Sequence, residues 1–481
     1  MLRRKINKLV LLLLPVFLLV LIHPSFANSL PVYWQGYPSI EVLTVDKNSP
    51  IEVKSEHLLF DLSAFNKQEY TISGRVTATY EMFNPTDENV TVQMAFPFIS
   101  KVNNFSKEDI SILADNVNIP FDIYIGETVE SYGAPVDLEN ISLDFSKLTE
   151  TITAGHYQGK NFSETDEGIL YTFEVEPKIE EGMHFSVEFT EFDKNSTKIV
   201  ADSFNSIAVG QNHMKVSGWC LEKTTFEVFI LGKQTDFKIE AYTDGSHREK
   251  TDKFTCSVSQ KVVNVKSFIE DMIEKVRAKE EYSAINPNNI LNIDRSQIYR
   301  MYISAMDKAL SQNAFATYGD LAGQFTVNRL IFLVYSVQFH PNSSRTVSVS
   351  YDTIGTMDTR KTSKPLYTFT YFLTPARYWA SFRNLDIEII TPSQAPYIVQ
   401  SSIDLENIKP GHYVANLSSL PENNLFFTIH SDKEIKFLKN NIFSNKYTDS
   451  LLSSTLVSVI LMLILLVLGT VLVYTIRRYK K

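Results

Sequence analysis

Cysteine is nearly absent: among 481 residues only Cys220 and Cys256 carry a thiol. A disulfide-rich scaffold is excluded, and so is a structural zinc site, which needs four ligands and short Cys or His spacings. The two thiols read either as one disulfide closing a 37-residue loop, worth about 3 to 4 kcal/mol in the loop-entropy picture, or as two ordinary buried residues. Glycine is scarce at 17, and no Gly-rich loop opens a helix to cradle a phosphate with bare backbone N–H groups. The nine histidines show no His-Glu-x-x-His spacing, and the chain has no Gly-x-Ser-x-Gly elbow. His156, His184, His213, His247, His340 and His412 fall in or beside expected turns. These patterns assign no catalytic, cofactor-binding or metal-ligating residue, and no cofactor.

Aromatic residues are plentiful, with 32 Phe and 23 Tyr, and the chain is 44% apolar and 21% charged. Those proportions describe a folded, aromatic-rich chain, and the length implies more than one folding unit.

The two ends set an expected topology. Arg3, Arg4, Lys5 and Lys8 precede a 14-residue apolar block over 9–22, and Ser25-Phe26-Ala27 supplies small residues for cleavage between Ala27 and Asn28. This reads as an export signal over 1–27, with an uncleaved anchor as the alternative. Residues 456–476 are 21 residues without a charge, followed by Arg477, Arg478, Lys480 and Lys481. The run predicts a transmembrane helix, with a buried core helix as the alternative, and the basic stop predicts a cytoplasmic tail over 477–481. The expected location is the cell membrane, single-pass type I, with the body outside the cell. Without the eight basic residues at the ends, 38 Lys plus Arg face 55 Asp plus Glu, a net of about −17. A field of that sign disfavours nucleic acid and anionic lipid surfaces.

Between the ends, period-two alternation predicts strands from residue 51 to about 265. In 70–83, Ile72, Val76, Ala78, Tyr80 and Met82 share one face, with a bulge expected at Gly74. The loop 84–89 then leads to Val90, Val92, Met94 and Phe96, read as the partner strand of a hairpin. The same design recurs at Val175-Glu176-Pro177 before Phe185, and at Phe339-His340-Pro341 before Val347. Phe268, Ile269, Met272, Ile273 and Val276 predict an amphipathic helix. A second is expected over 295–312, with Asp294 as N-cap and Ile298, Met301, Tyr302, Ala305, Ala309 and Leu310 on one stripe. The expected fold is mainly β: two antiparallel β-sandwich-like units over 32–200 and 201–431, a helical insertion over 266–313, a stalk over 432–450 and the C-terminal transmembrane helix.

At VTATYEMFNPTDENVTVQMAFPF, SGWCLEKTTFEVFILG and YFLTPARYWASFRNLDIEIITP the chain resembles exported, single-pass, membrane-anchored β-rich proteins of Gram-positive bacteria. The resemblance implies location and β architecture, and brings no known activity or site residue.

Asp115-Asn116-Val117-Asn118 and Glu164-Thr165-Asp166-Glu167-Gly168 place oxygen ligands in turns, where calcium or simple solvation are the two readings. Trp34, Tyr37, Tyr132, Tyr157, Trp219 and Trp379 are candidates for carbohydrate or peptide stacking, against core packing. Asn-x-Ser/Thr triplets occur at Asn89, Asn104, Asn140, Asn161, Asn195, Asn342 and Asn416. The expected function is a non-enzymatic interaction or structural protein, anchored in the lipid bilayer and facing a protein partner in the membrane or envelope, with the helical pair as docking element. The alternatives are a ligand-sensing or solute-binding ectodomain and an envelope hydrolase.

Overall fold

The computed structural model describes residues 31–46, 48–63, 70–102, 109–129, 152, 157, 159–278 and 293–438. Their strands assemble into five sheets of nine, six, five, five and four strands. The two five-stranded sheets form a sandwich from strands between Glu167–Pro177 and Phe315–Thr317. The other three are built from the flanking chain, and they pair early strands with late ones. Ser73–Asn84 pairs with Ser343–Ile354 over twelve residues, and Val90–Lys101 with Asn328–Phe339 over twelve more.

This overturns the expected fold of two successive sandwiches. The chain closes its outer body only after residue 328, because partners for its first long strands come from the last third of the sequence. Among the described residues no helix is long and apolar enough to cross a membrane. Residues 456–476, Arg477, Arg478, Lys480 and Lys481 lie outside the described residues, as do 1–27, Ala27 and Asn28. The first part of the expected stalk is tied into the body, with Ser363 N–H donating to Lys436 O at 3.1 Å and Leu438 N–H to Lys361 O at 2.9 Å.

The three expected hairpins are arches instead. Ser73–Asn84 belongs to the nine-stranded sheet while Val90–Lys101 belongs to the four-stranded one, and Asn328–Phe339 and Ser343–Ile354 divide in the same way. Glu167–Pro177 and Met183–Thr190 lie in opposite sheets of the sandwich. Alternation reports that one face is buried, but not whether the following strand lies beside it or across the core. Here the buried faces oppose one another: Tyr80 and Met82 share an apolar cluster with Val92, Met94 and Phe96, and Phe173 and Val175 share another with Phe185 and Val187. Two arches lean together, since Asn84 Nδ2 donates to His340 O at 3.0 Å and Asn342 N–H to Thr86 O at 2.9 Å. Gly74 forms no bulge: its register with Thr353 is continuous, and a Cβ there would lie 2.4 Å from Leu62 Cδ2. The glycine permits close approach of the chain at Asp61–Leu62.

The helices form where the period changes. Helix α1 is Val265–Ala278 and α2 is Arg295–Asn313. Asp294 caps α2, its carboxylate accepting from Ser296 N–H at 2.7 Å, and Ala314 in the left-handed region closes it. Their stripes are spent on the core: Phe268 stacks on Phe229 at 4.2 Å, and Ile298, Met301, Tyr302 and Leu310 are buried. Lys275 of α1 bonds Glu227 of the sandwich and Asp202 at 3.4 Å. The pair therefore keys the sandwich to the outer body.

Candidate functional site

One sandwich sheet carries Met183–Thr190 between His213–Cys220 and Phe237–Tyr242. Alternation sends Phe185, Val187 and Phe189 into the core, each fully buried. The opposite parity places His184 in register with Trp219 on one side and Tyr242 on the other. Three rings from three strands thus form a row, with His184 and Trp219 centroids 5.2 Å apart. Cross-strand aromatic neighbours at this spacing support one another.

A fourth ring comes from the loop 243–249. Asp244 folds that loop by accepting N–H bonds from Ser246 at 3.2 Å and from Arg248 and Glu249 at 2.9 Å. His247, at φ 58°, is thereby turned over the sheet. It stacks on Tyr242 at 4.7 Å and hydrogen-bonds His184, Nδ1 of His184 facing Nε2 of His247. Such a bond needs one N–H and one bare nitrogen, so it belongs to a pair that is not doubly protonated. Burial pushes both imidazoles below their ordinary value, aided at His184 by His247 and at His247 by Lys215.

An ion-pair network marks the Tyr242 end of the row. Lys215 lies 4.5 Å over the Tyr242 ring and donates to its hydroxyl at 2.9 Å, while Tyr242 donates to Glu240. Lys250, then Tyr242, hold Glu240 down at about 2, so it stays ionised. The other end is apolar and open: Trp219 is 44% exposed and Leu221 is 68% exposed. On the neighbouring edge strand Ser206–Val209, Ile207 and Val209 are exposed too, but they stand opposite the buried Val216 and Met214 and so lie on the other face of the sheet. The surface offers π faces, apolar area and a fixed ion-pair network, which suits stacking and docking. Among the described residues no group of three or more His, Cys, Asp or Glu is set to hold a metal ion.

The other candidates disperse. Cys220 and Cys256 are both free thiols, although they approach Val175 from opposite sheets. Cys220 Sγ lies 3.7 Å from Val175 O, and Cys256 stands opposite Val175 in register. Burial raises both thiols. Trp379 is core, Trp34 packs on Tyr70 at 5.5 Å, Tyr37 accepts from Asn328 at 2.7 Å, and Tyr157 donates to Asp307 at 2.7 Å. Tyr132 and His156 lie outside the described residues.

Asp115 is occupied by Arg345 at 2.7 Å and Thr346 N–H at 3.0 Å. Asp166 accepts from Ser163 N–H at 2.8 Å beside a cleft that also holds Lys198, a poor neighbour for a cation. His340 pairs with Asn89 at 2.9 Å, and His412 lies 2.7 Å from Glu388, which also meets His57 at 3.1 Å. Of the residues singled out from the sequence, Trp219, His184 and His247 come together here, His340 meets Asn89, and Asn161, Asp166, Glu167 and Asn195 line the cleft beside Lys198. The parity shared by His184, Trp219 and Tyr242 was the available signal, but it becomes useful only once the strand register is known.

The chain matches no protein-family model, and no curated protein is similar to it in sequence. Among solved structures it is similar to a chain from Legionella pneumophila, provisionally described as a nutrient binding protein, at 11% identity and a TM-score of 0.30, over 83% of this chain and 73% of that one.

Proposed function

We propose that this β-rich chain is a non-enzymatic interaction protein that docks an envelope or membrane protein on the face carrying Trp219, His184, Tyr242 and His247. The observation that carries this reading is the exposure of Trp219 and Leu221 at the open end of a row of rings held rigidly in strand register. Large aromatics fixed in place and left in water are the usual energetic centres of protein interfaces, because little entropy remains to be lost on binding. The helical pair is unsuited to the docking role, since its apolar stripes are buried in the core. The signal-like start of the sequence supports a partner met after export.

A photoreactive residue at Leu221 tests this in intact cells. One dominant crosslinked protein is expected, lost when Trp219→Ser is added and not obtained from a photoreactive residue at exposed Ile408 on the outer body. The same product from both positions, or none from Leu221, would sink the reading.

A further inference from the structure

The chain changes sheets within residues 39–44. Ser39–Ile40 pairs with Leu366–Phe372 in the six-stranded sheet, and Leu43–Thr44 with Val90–Lys101 in the four-stranded sheet. Glu41 sits at the crossing, its N–H donating to Phe372 O at 3.0 Å. Its fully buried side chain reaches the nine-stranded sheet, where Glu56, also fully buried, stands opposite Tyr80. One carboxyl thus meets residues from all three sheets of the outer body.

Glu41 is well supplied with donors: the Tyr80 hydroxyl, Val42 N–H at 2.9 Å and the Tyr371 hydroxyl at 3.1 Å. Neither oxygen of Glu56 has a hydrogen-bond partner among the groups with fixed donor protons. The groups facing the pair are Tyr80, Tyr335, Tyr351 and Tyr371, from four different strands, and no described Lys, Arg or His acts on either carboxyl. Two buried carboxylates with no counter-charge are far more costly than one carboxylate and one acid. A proton placed on Glu56 turns it into a donor, and Glu41 is the acceptor beside it. That single proton removes the repulsion and supplies the partner Glu56 lacks.

We propose that Glu41 and Glu56 hold one proton between them at neutral pH, and that this proton latches the 39–44 crossing to the three sheets, so that the body loosens there in alkaline medium. The electrostatics agree. Burial lifts Glu41 to about 7 against the pull of Tyr80, and burial followed by the Glu41 charge lifts Glu56 well above its ordinary range. Both groups are raised, so the stabilisation is complete below the ordinary value of 4.5 and is lost as pH rises through the folded values, from about 7 upward.

Thermal unfolding of the full chain from pH 5 to 9 tests the latch, together with hydrogen exchange of the 39–44 amides. The wild-type midpoint is expected to fall by about 4 °C or more on the alkaline side, with protection factors falling at the crossing more than elsewhere in the body. Glu56→Gln keeps a donor toward Glu41 but has no proton to lose, and its alkaline slope should vanish. Equal slopes in the two proteins, or a flat wild-type profile, overturn the proposal. Should the variant not fold, infrared spectra of the wild type decide: a carboxylic-acid C=O band present at pH 7 and gone by pH 9 supports the latch, and its absence at pH 7 refutes it.

Discussion

His184 lies opposite Trp219 in neighbouring strands and is hydrogen-bonded by His247 from a loop 63 residues further along. The exposed indole should therefore report the protonation of a pair of imidazoles. Both are lowered from 6.5, so their stabilising contribution is present above that value and lost as pH falls through the folded values. Between pH 7.5 and 5, the Trp219 indole resonance should shift and the 243–249 amides should lose protection relative to their intrinsic exchange rates. In His247→Gln the shift should be much smaller. An unchanged indole signal across this range in the wild type would remove the coupling.

Trp219→Ala should separate binding from folding. With the indole 44% exposed, the cost in stability is expected to be about 0.5 kcal/mol or less, read by chemical denaturation, while partner capture through Leu221 is lost. A stability loss several times larger would mean that the ring serves packing rather than docking.

Asp307 of α2 is an anchor rather than a site. Burial pushes its carboxyl up, but Lys160 N–H, the Tyr157 hydroxyl and both nitrogens of Asn161 donate to it and hold it below its ordinary range. Asp307→Asn replaces an acceptor by a group that is half donor. A loss of about 2 to 3 kcal/mol is expected, together with proteolytic sensitivity near residues 157–161. Because the pKa is lowered, wild-type stability from this residue should disappear on the acid side, as pH falls below 3.8.

Tyr80→Phe tests the sign of the buried pair independently of Glu56. The hydroxyl donates to Glu41 and favours its ionised form. Its removal should destabilise by about 1 to 3 kcal/mol and move the alkaline transition to higher pH, since the pair then holds its shared proton longer. A shift to lower pH would contradict the assigned donor.

Much of the local structure was legible. The α2 cap at Asp294 and its stripe, the α1 stripe and the long strands through Tyr80 and Val92 all follow from periods of 3.6 and 2 and from capping chemistry. Helix hydrogen bonds close within one turn, and a strand's alternation records only its own two faces. Both are properties of short segments.

Pairing is a different quantity, and it defeated the same reading at identifiable places. Nothing in 73–101 indicates that its strands belong to different sheets whose partners lie beyond residue 328. Glu41 resembles any charged residue near a turn until Glu56, Tyr80 and Tyr371 enclose it.

By itself, the sequence determined composition, periodicity, caps and the β-rich character of the chain, because these depend on neighbours a few residues apart. The tertiary structure alone decided that hairpin-like segments are arches, that His184 meets His247, and that two glutamates share a buried core. Those outcomes depend on which distant strands find each other, and burial then sets the protonation that each carboxyl and imidazole can hold.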